Sequence, residues 1–155
     1  MPVEIIQART DEQYAQARAL VSEYADCLGM DLEFQGFTHE LASLRATYGP
    51  PRGAMLLVRD GGKYVGCAGL RPIDERIAEM KRMYVLPACR GRGIGRLLLS
   101  AFLAKARELG YRAVRLDTIP RLTAALALYR KAGFVPIEPY RYNPEKDAIF
   151  LELKL

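Results

Sequence analysis

Apolar positions recur along this chain with two periods, and the places where one period gives way to the other mark its elements. Over residues 11–28 the apolar set Tyr14, Ala17, Leu20, Val21, Tyr24 and Leu28 falls at helical spacing. Thr10, with Gln13 three positions on, forms a capping-box pattern at the start of that helix, and Gly29 supplies a stop. A shorter helix is predicted over about 38–48, with Leu41, Leu44 and Tyr48 on one face. Helical spacing returns over about 94–109, where Leu98, Leu99, Phe102 and Ala106 point inward ahead of Gly110. It returns once more over about 122–132, ahead of Gly133.

Between these helices the pattern is that of strands: 3–6, 54–59, 64–70, about 77–85, 113–117, a run beginning at 134–137, and 148–153. Asp60-Gly61-Gly62-Lys63 joins two of them with a hairpin signal. Three strands in succession make an antiparallel meander. The strand at 113–117 is reached through a helix and is therefore expected to run parallel to its predecessor. No repeat, low-complexity segment or shift of composition divides the chain. The prediction is one α/β domain over residues 1–155, a mixed sheet of about seven strands with about four helices.

Composition narrows the class. Half of the 155 residues are hydrophobic and 26% are charged, as in globular proteins. No apolar run approaches the ~20 residues of a membrane span, and the first residues lack the basic start and apolar core of a signal peptide. Cys27, Cys67 and Cys89 are odd in number and fit no metal or disulfide spacing, which suggests a reduced, cytoplasmic protein with no metal site. The single histidine, His39, founds no zinc site and no triad, and reads as a surface residue near a helix start. The segment Asp31-Leu32-Glu33-Phe34 is acidic and apolar together, and suits either the lining of a pocket for an amine or a loop packed by Leu32 and Phe34.

The net charge of +5, with a pI near 9.2, favours an anionic partner. Lys81, Arg82, Arg90, Arg92 and Arg96 gather around Gly91, Gly93 and Gly95. Three glycines at alternate positions leave backbone N–H groups bare, and the helix that follows adds its positive end, so the loop suits a phosphate. It is not a dinucleotide fingerprint, because Arg96 stands where the third glycine belongs, and no G-K-[ST] of a Walker A loop exists.

What stands there is Val85-Leu86-Pro87, then Arg90-Gly91-Arg92-Gly93-Ile94-Gly95. This resembles the acetyl-CoA signature of the GNAT superfamily of N-acyltransferases, [RQ]-x-x-G-x-[GA] after a V-x-P strand end. Leu128-Tyr129-x-Lys131-x-Gly133-Phe134 is similar to the superfamily's second block, and the element order fits over essentially the whole chain. One departure is visible: many members carry Asn seven residues before that Tyr, and here the residue is Leu122. The combination of Glu79 to Val85, Leu116-Asp117-Thr118, Leu128-Tyr129-Arg130 and Pro139 to Pro144 resembles a bacterial subgroup of unassigned substrate.

The resemblance implies acetyl transfer from acetyl-CoA to a primary amine of a small molecule or peptide, directly within a ternary complex. It implies cofactor contacts from Met83, Tyr84 and Val85, from Arg90, Gly91, Arg92, Gly93, Ile94, Gly95 and Arg96, and from Tyr129 and Lys131. The oxyanion stabiliser is expected to be a backbone N–H near Met83 to Val85, where this strand splays from the next. Glu79 sits where histone-acetyltransferase-like members place a catalytic glutamate. In a strict period-two strand it would share a face with Lys81, Met83 and Val85. In a partly apolar cleft its pKa would rise and fit it as a base; a plain ion pair with Lys81 or Arg76 is the other reading. Tyr129 is the candidate acid, since a phenol with a pKa near ~10 keeps its proton at neutral pH. Asp117, Thr118, Tyr140, Arg141 and Tyr142 are open either to touching substrate or to capping the sheet.

Other readings are a catalytically silent acyl-CoA-binding regulatory module, an acyl-enzyme on Cys89, for which no adjacent base is evident, and a nucleic-acid-binding protein, for which no aromatic interleaving or recognition helix speaks. The expected partners are an amine acceptor, with neither nucleic acid nor membrane, and a homodimer is left open.

Overall fold

Seven strands lie in one mixed sheet in the computed structural model, which describes residues 2–155 apart from the side chains of Phe34 and Gln35. In chain order they are β1 (Val3–Gln7), β2 (Ala54–Asp60), β3 (Lys63–Pro72), β4 (Ile77–Val85), β5 (Ala113–Thr118), β6 (Val135–Pro136) and β7 (Ile149–Lys154). The spatial order is β1-β2-β3-β4-β5-β7-β6. All neighbours are antiparallel except β4 and β5, which are joined through a helix. The β2–β3 hairpin turns on Gly61 and Gly62, with φ of 58° and 88°, the two left-handed residues that a type I′ turn demands.

Helices cover both faces. On one lie α1 (Asp11–Leu28), α2 (Phe37–Ala42) and α3 (Leu44–Tyr48). Tyr14, Ala17, Leu20, Val21, Leu44 and Tyr48 pack there against Met55, Leu57, Cys67 and Tyr84 of the sheet. On the other lie α4 (Ile94–Glu108) and α5 (Thr123–Ala132), where Leu98, Phe102, Leu126 and Tyr129 pack against Leu56, Ala68, Met80 and Leu116. The predicted capping box closes α1: the Gln13 amide donates to Thr10 Oγ1 at 3.1 Å, and the Thr10 amide donates to Gln13 Oε1 at 3.1 Å.

Two expectations are corrected. The helix predicted over 38–48 is two helices, broken at Ser43 (φ −150°, ψ 89°), whose Oγ accepts from the Ala46 amide at 3.2 Å and caps α3. The break lets Leu44 and Tyr48 enter the core, whereas Leu41 is only partly buried. A serine that bonds its own backbone competes with helix continuity, so apolar spacing alone spans the gap. This break is why there are five helices rather than four.

The second correction concerns β4. Its pairing with β3 runs Met80 with Leu70 and Lys81 with Gly69, then resumes at Tyr84 with Cys67. Arg82 and Met83 thus face a single residue, Ala68, in a β-bulge. Arg82 has φ of +59°, the one left-handed non-glycine among the described residues. Alternation therefore slips by one. Glu79, Lys81, Arg82 and Tyr84 reach the α1–α3 side, while Met80, Met83 and Val85 pack toward α4 and α5. Glu79 does not share a face with Met83 and Val85, as strict period two would require.

The bulge is anchored. Arg82 makes a two-point bond to Glu40 of α2 at 2.9 and 2.8 Å, and Tyr48 donates to the same carboxylate at 2.7 Å. Burial pushes the Glu40 carboxyl up, but the Arg82 bonds and charge outweigh it and hold it below the ordinary range. Gly69, opposite Lys81, lies so close to the Tyr48 ring that a Cβ would sit 2.6 Å from a ring carbon.

Candidate active site

β4 and β5 pair only from Ile77 with Ala113 to Glu79 with Arg115. Beyond that point the strands part and open a wedge in the centre of the sheet. The Leu86 amide donates to Val65 at 2.9 Å. By antiparallel alternation, Tyr84 then bonds toward β3 while the amide of Val85 faces the wedge.

Two cavities meet in this wedge. The larger, about 560 Å³, is walled by Met83, Val85, Gly91, Gly93, Gly95 and Arg96 on one side and by the start of α5 on the other. The smaller, about 70 Å³, is walled by Lys81 and Arg82 of β4 against Asp117 and Thr118 of β5, with Tyr24 and Asn143. Met83 and Tyr129 line both. Tyr129 is 6% exposed, its hydroxyl 3.7 Å from Met83 Sδ and its ring tilted against Phe134 at 5.8 Å. Burial pushes its phenol well up, so it keeps its proton throughout the neutral range.

The loop has the form its sequence predicts. Gly91 and Gly93 take φ of 81° and 78°, and a Cβ at either would point into open space. Gly93 caps α4 with no side-chain hydrogen bond. The first amides of a fifteen-residue helix thus remain available at the cavity wall. A Cβ at Gly95 would come within 3.5 Å of Leu128, so α5 sits close against the start of α4.

The predicted residues fare differently. Met83, Tyr84, Val85, Arg90, Gly91, Gly93, Ile94, Gly95, Arg96 and Tyr129 all border the larger cavity. Arg90 spans the base of the loop, Nε to the Val85 carbonyl at 2.9 Å, with its guanidinium 5.6 Å from the centre of the Tyr84 ring. Arg92 turns away to Asp60 at 2.9 Å, and Lys131 is exposed on α5; neither side chain lines a cavity. Cys89 packs half-buried against the core beneath the loop and lines neither cavity. His39 lies exposed within α2.

Glu79 departs furthest from its expected setting. It is fully buried and borders neither cavity. Its carboxylate is held by Arg71 at 3.0 Å, by Arg141 at 2.6 Å and by the Tyr140 hydroxyl at 2.7 Å. Arg71 is its register partner on β3, and Tyr140 and Arg141 descend from the segment before β7. The expected partners Lys81 and Arg76 are replaced by residues distant in sequence. This carboxylate fastens the final segment onto the sheet and has no path to a substrate nitrogen.

Sequence reading left Lys81 and Asp117 without firm roles, and left Tyr24, Arg121 and Cys27 out of the site altogether. Asp117 Oδ2 accepts from Asn143 Nδ2 at 3.1 Å. Arg121, before α5, borders the larger cavity and donates to the Leu28 carbonyl. Leu32 is buried against Leu28 and Ile119 and borders the smaller cavity, while Asp31 and Glu33 are exposed; the side chain of Phe34 lies outside the described residues. Among the described residues no cluster could hold a metal ion, and no helix is long and apolar enough to cross a membrane.

A two-cavity wedge beside a glycine loop at a helix start is a family trait, and the comparison is direct: residues 17–134 match the acetyltransferase (GNAT) family. The chain belongs to the GNAT family of acetyltransferases. It is 40% identical over 140 residues to an uncharacterized N-acetyltransferase of Schizosaccharomyces pombe, covering 89% of this chain and 86% of that one. Its fold superposes on an acetyltransferase from Streptococcus agalactiae with a TM-score of 0.80 at 23% identity, covering 99% and 98% of the two chains. It also superposes on a GNAT acetyltransferase from Elizabethkingia anophelis solved with acetyl-CoA bound, with a TM-score of 0.63 at 19% identity over 99% and 98%.

Proposed function

We propose that this acetyltransferase moves an acetyl group from acetyl-CoA directly to a primary amine of a small molecule or peptide, within a ternary complex. The observation that carries this is the position of Tyr129, on the wall shared by a large glycine-lined cavity and a small polar one. A donor in the larger cavity would rest its pyrophosphate on the amides from Gly91 to Gly95 and its pantetheine arm along β4, where the Val85 amide faces the wedge. Its thioester would then lie beside Met83, with an amide of the splayed strand to receive the developing oxyanion. Tyr129 would hand its proton to the departing sulfur. The smaller cavity would take the acceptor's amine, drawn by Asp117.

Direct transfer is favoured over an acyl-enzyme because Cys89 lies outside both cavities. The cysteines are unpaired, in keeping with a reducing, cytoplasmic setting. The test is a panel of small amines, amino acids, aminoglycosides and peptide N-termini offered with acetyl-CoA, reading free thiol. Thiol release that requires an amine, with acetylated amine recovered in equal amount, is the expected result. Acetyl-CoA that binds but is never consumed with any amine would instead indicate a silent acyl-CoA-binding module.

A further inference from the structure

With Glu79 sealed away, the acetyl-transfer reading above lacks a group to deprotonate the acceptor. An amine that arrives as an ammonium must lose a proton before its nitrogen can attack, and the receiver must lie within reach of the small cavity. The ionisable side chains lining that cavity, among the described residues, are Tyr24, Lys81, Arg82, Asp117 and Tyr129. Arg82 is locked to Glu40 and stays charged. Burial raises the pKa of both tyrosines. A carboxylate attracts an ammonium more readily than it deprotonates one, so Asp117 serves to hold the cation.

We propose that Lys81 is the general base, accepting the acceptor's proton on Nζ. The proposal rests on the acetyl-transfer reading. Its geometric basis is the bulge at Arg82, which leaves Lys81 4% exposed on the acceptor side of β4, across the open wedge from Asp117.

The charges around Lys81 come from every side. Glu79 and Arg82 flank it on β4, Asp117 faces it from β5, Arg141 comes from the segment before β7 and Glu40 from α2, while Tyr24 of α1 shares its cavity. Burial, followed by the neighbouring Arg82, brings its pKa down to about 7 against the pull of Glu79 and Asp117. A neutral amine is therefore present near physiological pH, and a base poised there is the best match to this task.

The step balances. The acceptor ammonium gives one proton to Nζ, and its freed lone pair forms the C–N bond to the thioester carbonyl carbon as the C–S bond breaks. Tyr129 protonates the sulfur and is restored by the second proton, shed as the nitrogen becomes an amide. Lys81 then releases its proton to water.

The experiment has two arms. In the first, turnover at saturating acetyl-CoA is followed from pH 5.5 to 9.5 with two accepted amines of different basicity, for wild type, Lys81→Met and Lys81→Arg. The wild-type rate should rise about tenfold per pH unit to a plateau, with a midpoint near 7 that is the same for both amines. Both variants should lose about 10²–10⁴-fold at the plateau and should lack that midpoint, with acetyl-CoA affinity by calorimetry within about twofold of wild type. A variant that keeps more than a fifth of the plateau, or a midpoint that follows the amine, overturns the proposal.

The second arm needs no acceptor. The chain has six lysines, and in ¹³C-lysine-labelled protein the Cε resonance missing from the Lys81→Met spectrum should titrate near pH 7. A Lys81 that remains an ammonium through pH 9 overturns the proposal. Failure of the acetyl-transfer reading shows separately, as wild-type protein that binds no acetyl-CoA.

Discussion

Replacing Glu79 with Gln separates a catalytic carboxylate from a structural one. The substitution keeps the shape and a hydrogen-bonding carbonyl but removes the charge that two arginines share. Removing one partner of a buried ion pair costs about 3–5 kcal/mol. Here the acid is fully buried, but the Arg71 and Arg141 side chains keep 25% and 23% of their exposure, so water can recover part of the loss. Arg141 Nε is buried with no hydrogen-bond partner, so nothing nearby takes over the pairing. We expect a net loss of about 2–3 kcal/mol. At about 2–4 °C per kcal/mol for a domain of this size, the midpoint should fall by about 4–12 °C. Urea unfolding at pH 7 measures the first quantity and a thermal scan the second. Turnover, read well below both transitions, should stay within about threefold of wild type with its pH profile unmoved. A variant as stable as wild type but slowed a hundredfold, with the basic limb of its profile gone, would refute this reasoning and return the proton to Glu79.

Gly93→Glu should abolish acetyl-CoA binding in calorimetry, because it sets a carboxylate on the cavity wall at a φ of 78° that glutamate rarely adopts; unchanged affinity would remove the phosphate from this loop. Tyr129→Phe should lower turnover at least tenfold while leaving acetyl-CoA affinity within about twofold, and equal turnover would reduce Tyr129 to packing. Gly69→Ala should destabilise by about 1–3 kcal/mol in urea, since the new methyl meets the Tyr48 ring at 2.6 Å. Acid should weaken the Glu40–Arg82 anchor. The Glu40 pKa is lower folded than unfolded, so its contribution is whole above the ordinary carboxylate range and is lost as pH falls below it. Unfolding free energy measured from pH 6 to 3 should drop more steeply in wild type than in Glu40→Gln.

Local signals carried most of the fold. The capping box, the Gly-Gly turn and the glycine loop each specify backbone geometry within a few residues, and each was legible in the sequence. The splay of β4 from β5 beside the loop was legible too, because strand, loop and helix must follow in that order. What could not be read is long-range. The partners that seal Glu79 come from β3 and from the segment before β7, brought together by the sheet. The slip at Arg82 leaves no mark in an apolar pattern, since the signal is a left-handed arginine stabilised by a glutamate forty-two residues away. Lys81 looked like part of a basic cluster until its burial was known.

The bulge at Arg82 amounts to a phase change in the strand. A regular strand dedicates alternate residues to one environment and cannot present two consecutive side chains to the same side. By spending one residue without advancing the register, β4 gives Lys81 and Arg82 to the acceptor side and then restarts with Met83 and Val85 on the donor side. Two chemically opposed surroundings, one charged and one apolar, are thereby served by a single stretch of backbone. Deleting one residue at this point would exchange them, so tolerance to length change should be lowest at the centre of β4.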